Sequence, residues 1–202
     1  MKLNLGERFI VNNPIRAFIQ RRIEGPMLKR MAGFKSYPLC LEIGCGTGLG
    51  AEIIVEQFGA QRVIATDVDP DQIKRAKKNL PLRLKEKIEF RVADTMALDE
   101  PDNKFDAVFS FGVIHHMEDW RKAVREVSRV LKSGGELFFE EPLREFTSIF
   151  TKGSMLSIIA THPAGGMFSF DEFKNELRNN NVDIINIKHF GNIAIFGVGR
   201  KQ

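Results

Sequence analysis

From residue 38 to residue 141 the chain alternates between two periods. A short continuous apolar run is followed by a turn, then by apolar residues every three or four positions. Residues 38–43 read as a buried strand. Residues 49–58 read as a helix with Ile53, Ile54 and Phe58 inward, and 62–67 as the next strand. Asp69-Pro70 caps a helix that carries Ile73 and Ala76 and finishes on Lys77, Lys78 and Asn79, the charges a helix C-terminus favours. Ile88, Phe90 and Val92 alternate as a third strand that ends near Asp94, and 105–111 form a fourth. Residues 120–131 form a helix with Ala123, Val124, Val127, Val130 and Leu131 on one face, closed by Gly134-Gly135. A fifth strand spans 136–140. Alternation of this kind requires right-handed strand–helix–strand units and a parallel sheet covered on both faces.

After Pro142 an apolar, irregular insert runs to residue 170, followed by a predicted helix at 171–179 and strands at 182–188 and 192–198. Only His189-Phe190-Gly191 separates those strands, too short a link for a parallel crossover, so they form an antiparallel hairpin. The expected fold is α/β: a doubly wound, Rossmann-like, mostly parallel seven-stranded sheet with a C-terminal antiparallel hairpin strand.

At 202 residues, with 43% apolar and 28% charged residues, the chain suits one well-buried core. Residues 1–35 precede the alternation and are expected to form a basic amphipathic helical lid on a main domain at 36–202. There, Asn13 N-caps a helix with Pro14 at its first position, Ile15, Phe18, Ile19 and Ile23 share a stripe, and Gly25-Pro26 interrupts it. The same 35 residues hold eight Lys and Arg against Glu7 and Glu24, a net +6 in a chain of net +4, so the remainder sums to −2. A basic segment on a near-neutral body suits an anionic lipid surface, nucleic acid or an acidic substrate, or is a solvated helix face. Two cysteines, Cys40 and Cys45, are too few for a disulfide framework. No leader pattern or apolar run long enough to span a bilayer is visible, so a cytoplasmic location is expected.

The first predicted strand runs into Leu41-Glu-Ile-Gly-Cys-Gly-Thr-Gly-Leu-Gly50, where ligands of open α/β sheets bind. The register Gly46-x-Gly48-x-x-Ala51, with Asp67 twenty-one residues after Gly46, fits a dinucleotide fingerprint, so glycine spacing alone leaves a nicotinamide enzyme open. The acid separates the choices. A pyrophosphate favours helix N–H groups without a fixed carboxylate beside them, whereas Glu42, two residues before Gly44, favours an ammonium or sulfonium. S-adenosylmethionine carries both and no phosphate. A Walker loop is excluded, because no Gly-Lys-Ser/Thr follows.

Glu42-Ile-Gly-Cys-Gly-Thr-Gly48 resembles motif I of the class I S-adenosylmethionine-dependent methyltransferases, and four more segments match in order. They are Val63-Ile-Ala-Thr-Asp-Val-Asp-Pro70, Phe90-Arg-Val-Ala-Asp-Thr-Met96, residues 105–117 and residues 130–137. The similarity spans roughly residues 38–141 and lies nearest the small-molecule branch that includes ubiquinone and menaquinone C-methylases. The resemblance implies that Gly44, Gly46 and Gly48 let the backbone approach the methionine and ribose part, with Glu42 at the amino group. It implies that Asp67 accepts the ribose hydroxyls and that Asp94 accepts the adenine amino group, with Met96 or the Thr95 backbone against the ring. Ser110 and Phe111 would line the methionine moiety through their backbone. The product would be S-adenosylhomocysteine, and no metal is called for.

On the acceptor side, a base is needed only if the acceptor arrives protonated. His115 and His116, after the fourth strand, are the candidates, and His162 is a further one with a loop-structural alternative. Glu140 and Glu141 face the acceptor or solvent. No Asn/Asp-Pro-Pro-Tyr/Phe stands at the fourth-strand end and no Pro-Cys nucleophile is present, which disfavours nucleic acid as the acceptor. The insert at 143–168 is rich in Phe, Ile, Leu and Met, so with the N-terminal helix it is expected to cover an apolar or amphiphilic small molecule. Arg16, Arg21 and Arg22 would contact a membrane surface. RNA methylation, a nicotinamide oxidoreductase and a non-catalytic cofactor binder are the competing functions. Oligomeric state is not legible.

Overall fold

The computed structural model describes residues 13–32, 36–145 and 167–202. The apolar insert from Phe146 through Ile159, His162, and the basic Lys2, Arg8 and Lys35 lie outside the described residues.

Helix α1 (Pro14–Ile19) passes through a π turn (Gln20–Glu24) into α2 (Gly25–Ala32). The alternating body follows: β1 (Leu39–Ile43), α3 (Leu49–Phe58), β2 (Arg62–Asp67), α4 (Pro70–Asn79), β3 (Ile88–Val92), β4 (Phe105–Phe111), α5 (Trp120–Val130) and β5 (Leu131–Pro142). Helix α6 (Phe170–Asn179) leads to β6 (Val182–Phe190) and β7 (Ala194–Lys201). The seven strands form one sheet in the order β3-β2-β1-β4-β5-β7-β6. Neighbours from β3 to β5 are parallel, and β7 runs antiparallel to both β5 and β6. The expected hairpin therefore forms, with its return strand β7 inserted between β5 and the edge strand β6.

The parallel strands are apolar on both sides because both sides are covered. On one face Cys40, Phe109 and Phe138 pack with Leu28 of α2, Ile54 and Phe58 of α3 and Ile73 of α4. On the other, Leu41, Val108 and Phe139 pack with Val124 and Val127 of α5 and Phe173 and Leu177 of α6. Helix α4 starts on Asp69, whose side chain accepts the Asp71 N–H, and α6 on a reciprocal Ser169–Glu172 capping box. Strand order reverses between β1 and β4, so the crevice that binds ligands in such sheets opens at their carboxyl ends.

Two expectations are corrected. Gly134-Gly135 does not close α5: the helix stops at Val130, Leu131 is already extended (φ −74°, ψ 135°) and pairs with Phe105, and regular pairing resumes at Ala107–Glu136. Gly134, at φ 75°, thus lies within an irregularity of β5. Gly25-Pro26 does not interrupt the first helix either. The Gly25 N–H bonds to the carbonyl of Gln20, a wider turn that keeps the chain helical into a proline lacking its own donor.

The apolar stripe of the first helix is mostly exposed: Ile15, Phe18 and Ile23 are 68%, 62% and 54% exposed, and Ile19 is half-buried. Two arginines expected outside turn inward. Arg16 bridges Glu24 and Glu140, the latter at 2.8 Å, while Arg21 binds Glu52 at 2.5 Å and Glu56 at 2.6 Å. The helix docks through guanidinium–carboxylate pairs because α3 and β5 offer it acids there.

Candidate functional site

At the carboxyl end of β1 the chain turns through Gly44 and Gly46, both at positive φ (63° and 51°), and enters α3 after Gly48 at φ 91°. Positive φ favours glycine, and at Gly44 a side chain would also collide with Val113, 2.4 Å from its Cβ position. The loop, the ends of β2, β4 and β5, and the first helix border a cavity of about 510 Å³.

Glu42 sits on the floor of this cavity, 2% exposed. Its Oε1 fills the space beside Gly50: a Cβ there would stand 1.8 Å away. Gly50 is thus required by the carboxylate, a role that sequence reasoning missed and that the bare Gly-Leu-Gly spacing could have signalled. Glu42 Oε2 is buried without a hydrogen-bond partner. Burial pushes its carboxyl up to about 8, the charge of Asp67 adds to this, and the Ala51 N–H opposes it. This acid is poised for a cationic group.

Asp67, at the end of β2, accepts the N–H groups of Gly46 and Asp69, each at 2.9 Å. Burial raises its carboxyl above the ordinary range, and those two N–H groups oppose the shift. It therefore ties the glycine loop to the turn leading into α4, whose buried Gln72 also reaches the cavity.

Of the predicted residues, Glu42, Gly44, Gly46, Asp67, Thr95, Phe111, His115 and His116 line the cavity together. Gly48, Asp94, Met96 and Ser110 are not part of its lining. Gly48 makes room for the ring of Phe90, 2.8 Å from its Cβ position. Asp94 is exposed and accepts the Met96 N–H at 2.9 Å, a turn-forming bond, and Met96 packs partly on the core. Ser110 is buried and gives its hydroxyl to Glu141 Oε1 at 2.6 Å. Glu140 and Glu141, with solvent as one expected setting, are both buried.

The remaining lining includes two panels. Arg16, Gln20, Glu24 and Glu140 form a polar one. The π turn contributes to it by carrying Gln20 and Glu24 onto the face of Arg16, and neither residue was marked by the sequence. Burial raises the Glu140 carboxyl well above the ordinary range; Arg16 opposes the shift, and Glu24 and Glu141 reinforce it. Pro142, Ile193, Ala194 and Phe196 form an apolar panel.

Residues 41–139 match the model of a family described as a methyltransferase domain. The chain is 34% identical over 139 residues to a probable S-adenosylmethionine-dependent methyltransferase of Mycobacterium tuberculosis, covering 69% of this chain and 48% of that protein. It is 35% identical over 124 residues to the 2-methyl-6-phytyl-1,4-hydroquinone methyltransferase of Synechocystis, covering 59% of this chain and 38% of that one. The chain spans about half the length of the first of these relatives and less of the second. Among solved structures, an S-adenosylmethionine-dependent methyltransferase from Aquifex aeolicus superposes with a TM-score of 0.74 at 17% identity, covering 98% of both chains, a likeness of fold. Strand order, glycine loop and these matches together identify the chain as a class I S-adenosylmethionine-dependent methyltransferase domain.

Proposed function

We propose that this chain binds S-adenosylmethionine in the cavity at the β1 and β4 ends and transfers its methyl group to a small, apolar or amphiphilic molecule. The observation that carries the reading is Glu42: a buried carboxylate oxygen without a partner, beside a glycine loop, in a cavity large enough for a cofactor. When bound, the sulfonium supplies an activated methyl group. The chain's own task is to align an acceptor with it. Glu42 holds the ammonium, Gly44 and Gly46 give close backbone access, Asp67 serves the ribose, and Ala93, Thr95 and Phe111 flank the remaining parts. Asp94 reaches the adenine amino group if its turn opens toward the cavity. The acceptor lies between the polar panel of Arg16 and Glu140 and the apolar panel of Phe196 and Ile193, which favours an amphiphilic molecule over RNA. Residues 14–32 act as its lid.

Titration calorimetry with S-adenosylhomocysteine tests the cofactor assignment. Binding by the native protein, and weaker binding by Glu42→Gln, supports it. Binding of NAD(P) instead, or affinity for RNA that falls steeply with salt, favours the competing readings.

A membrane-surface role rests on the outward residues of the first helix. Ile15, Phe18 and Ile23 are exposed, and the outward charges at Arg22 and Arg30 are positive, while Glu24, the one acid among residues 13–32, is buried. Among the described residues no helix is long and apolar enough to cross a membrane. Co-sedimentation with phosphatidylglycerol vesicles is expected to fall for Phe18→Ser. Equal soluble fractions for both proteins defeat the idea.

A further inference from the structure

We propose that His115 accepts the proton of an acceptor hydroxyl and that Glu141 is the positioning residue that prepares it, so the methyl acceptor belongs to the class with an ionisable O–H, a phenol or an enol. This rests on the methyl-transfer reading above and narrows it.

Glu141 stands at the end of β5 and is fully buried. Its Oε1 accepts the Ser110 hydroxyl at 2.6 Å and the N–H groups of Val113 at 3.3 Å and Ile114 at 3.1 Å. Its Oε2 accepts the His115 N–H at 3.3 Å and faces His115 Nδ1 at 2.8 Å. One hydroxyl and three backbone N–H groups thus converge on this carboxyl, which is the acceptor in all four bonds. Facing this acceptor at 2.8 Å, Nδ1 carries the ring proton and donates it. The imidazole is thereby fixed as the tautomer whose basic nitrogen is Nε2.

The backbone bonds alone would account for a carboxylate that holds the 3₁₀ turn of Ile114–His116. The ring bond is additional and sets chemistry, not shape. His115 is buried, yet it lines the same cavity as Glu42 and Asp67, and the ring of His116 lies 4.0 Å from its own. A base oriented by a third group and facing a cofactor cavity is an arrangement that activates a nucleophile.

In the step, the acceptor oxygen bonds to the methyl carbon as the methyl–sulfur bond breaks, its electron pair remaining on sulfur. The hydroxyl proton passes to His115 Nε2 and is later released to solvent. An amine that binds already deprotonated, or a thiolate, needs no such base.

Two measurements decide the proposal. The first is long-range 1H–15N correlation of histidine-labelled protein without ligand, with His115 assigned through His115→Gln. The expected result is the Nδ1–H tautomer. In Glu141→Gln the amide oxygen takes the three-donor side and the amide NH2 faces Nδ1, so His115 shifts to the Nε2–H tautomer. An Nε2–H tautomer in the native protein, or no change in Glu141→Gln, overturns the positioning role. The second is methyl transfer from saturating S-adenosylmethionine to simple phenols, cyclic 1,3-diketones, and size-matched amines and thiols. O-methylation is expected, with kcat lowered about a hundredfold or more in both variants and little change in KM for S-adenosylmethionine. His115→Gln leaves Glu141 and its backbone bonds in place, so it reports on the base even if Glu141→Gln folds poorly. Transfer only to amines or thiols, or none to any hydroxyl while calorimetry shows the cofactor bound, overturns the acceptor class. Failure of the cofactor to bind defeats the underlying reading and leaves the tautomer result to stand alone.

Discussion

Glu42 Oε1 stands where a side chain on Gly50 would begin, 1.8 Å from the Cβ position. The carboxylate and the bare backbone are therefore one design element. Gly50→Ala forces Glu42 to move or α3 to shift, an overpacking cost of about 1–3 kcal/mol. A fall in Tm of roughly 5 °C is expected for a domain of this size, with weaker S-adenosylhomocysteine binding. Unchanged melting and affinity would refute this.

Glu42→Gln keeps the shape and removes the charge. Losing a charge-assisted bond to an ammonium costs about 1.5–3 kcal/mol, or roughly ten- to a hundredfold in Kd. Calorimetry measures it directly.

The raised Glu42 carboxyl also sets a pH dependence. Its folded value, about 8, lies above its ordinary 4.5, so between those limits the ligand-free folded state binds more protons than the unfolded one. Its contribution to stability therefore declines as pH rises through that window, and Glu42→Gln flattens the decline. Binding an ammonium favours the ionised form, so cofactor binding at pH 7 releases protons. Calorimetry in buffers of different ionisation enthalpy is expected to show that release in the native protein and its loss in the variant.

Asp67→Ala removes the acceptor for two N–H groups, those of Gly46 and Asp69. The loop keeps the Cys45 N–H bond to the Thr66 carbonyl of β2 but loses its side-chain tie, and stability falls by about 1–3 kcal/mol. Denaturant unfolding measures this, and cofactor affinity falls with it.

Arg16→Ala leaves Glu24 and Glu140 facing each other in a buried setting without their shared cation. Faster amide exchange across residues 14–24 is expected, with exchange in β1 and β4 unchanged.

Much of the fold was legible because each strand and helix from Leu39 to Val130 carries its own periodicity and its own punctuation, such as the Asp69-Pro70 cap. The join of α5 to β5 was misread because Gly134-Gly135 resembles a helix stop, whereas Leu131 has already been captured by Phe105 of β4. The first helix was misread for a related reason: a stripe of Ile and Phe marks a face but not which way it turns. Carboxylates more than thirty or a hundred residues away, at Glu52 and Glu140, draw the arginines inward. In the site, Glu42 stood out because an acid beside glycines is chemically odd, and Asp67 because of its spacing from Gly46 and its place in the second-strand motif. Glu141 did not, since nothing local distinguishes the second of two adjacent glutamates; its burial and its bond to His115 arise only when β4 and β5 pair.

The placement of β7 between β5 and β6 affects how the molecule is assembled on a ribosome. Strand β6 emerges first with no neighbour to hydrogen-bond, and β5 keeps an open flank until the later strand slides between them. Ala194 and Phe196 of that strand also form part of the cavity wall. The nascent chain can thus hold its glycine loop early, but the acceptor chamber is walled only when the sheet's interior gap is filled.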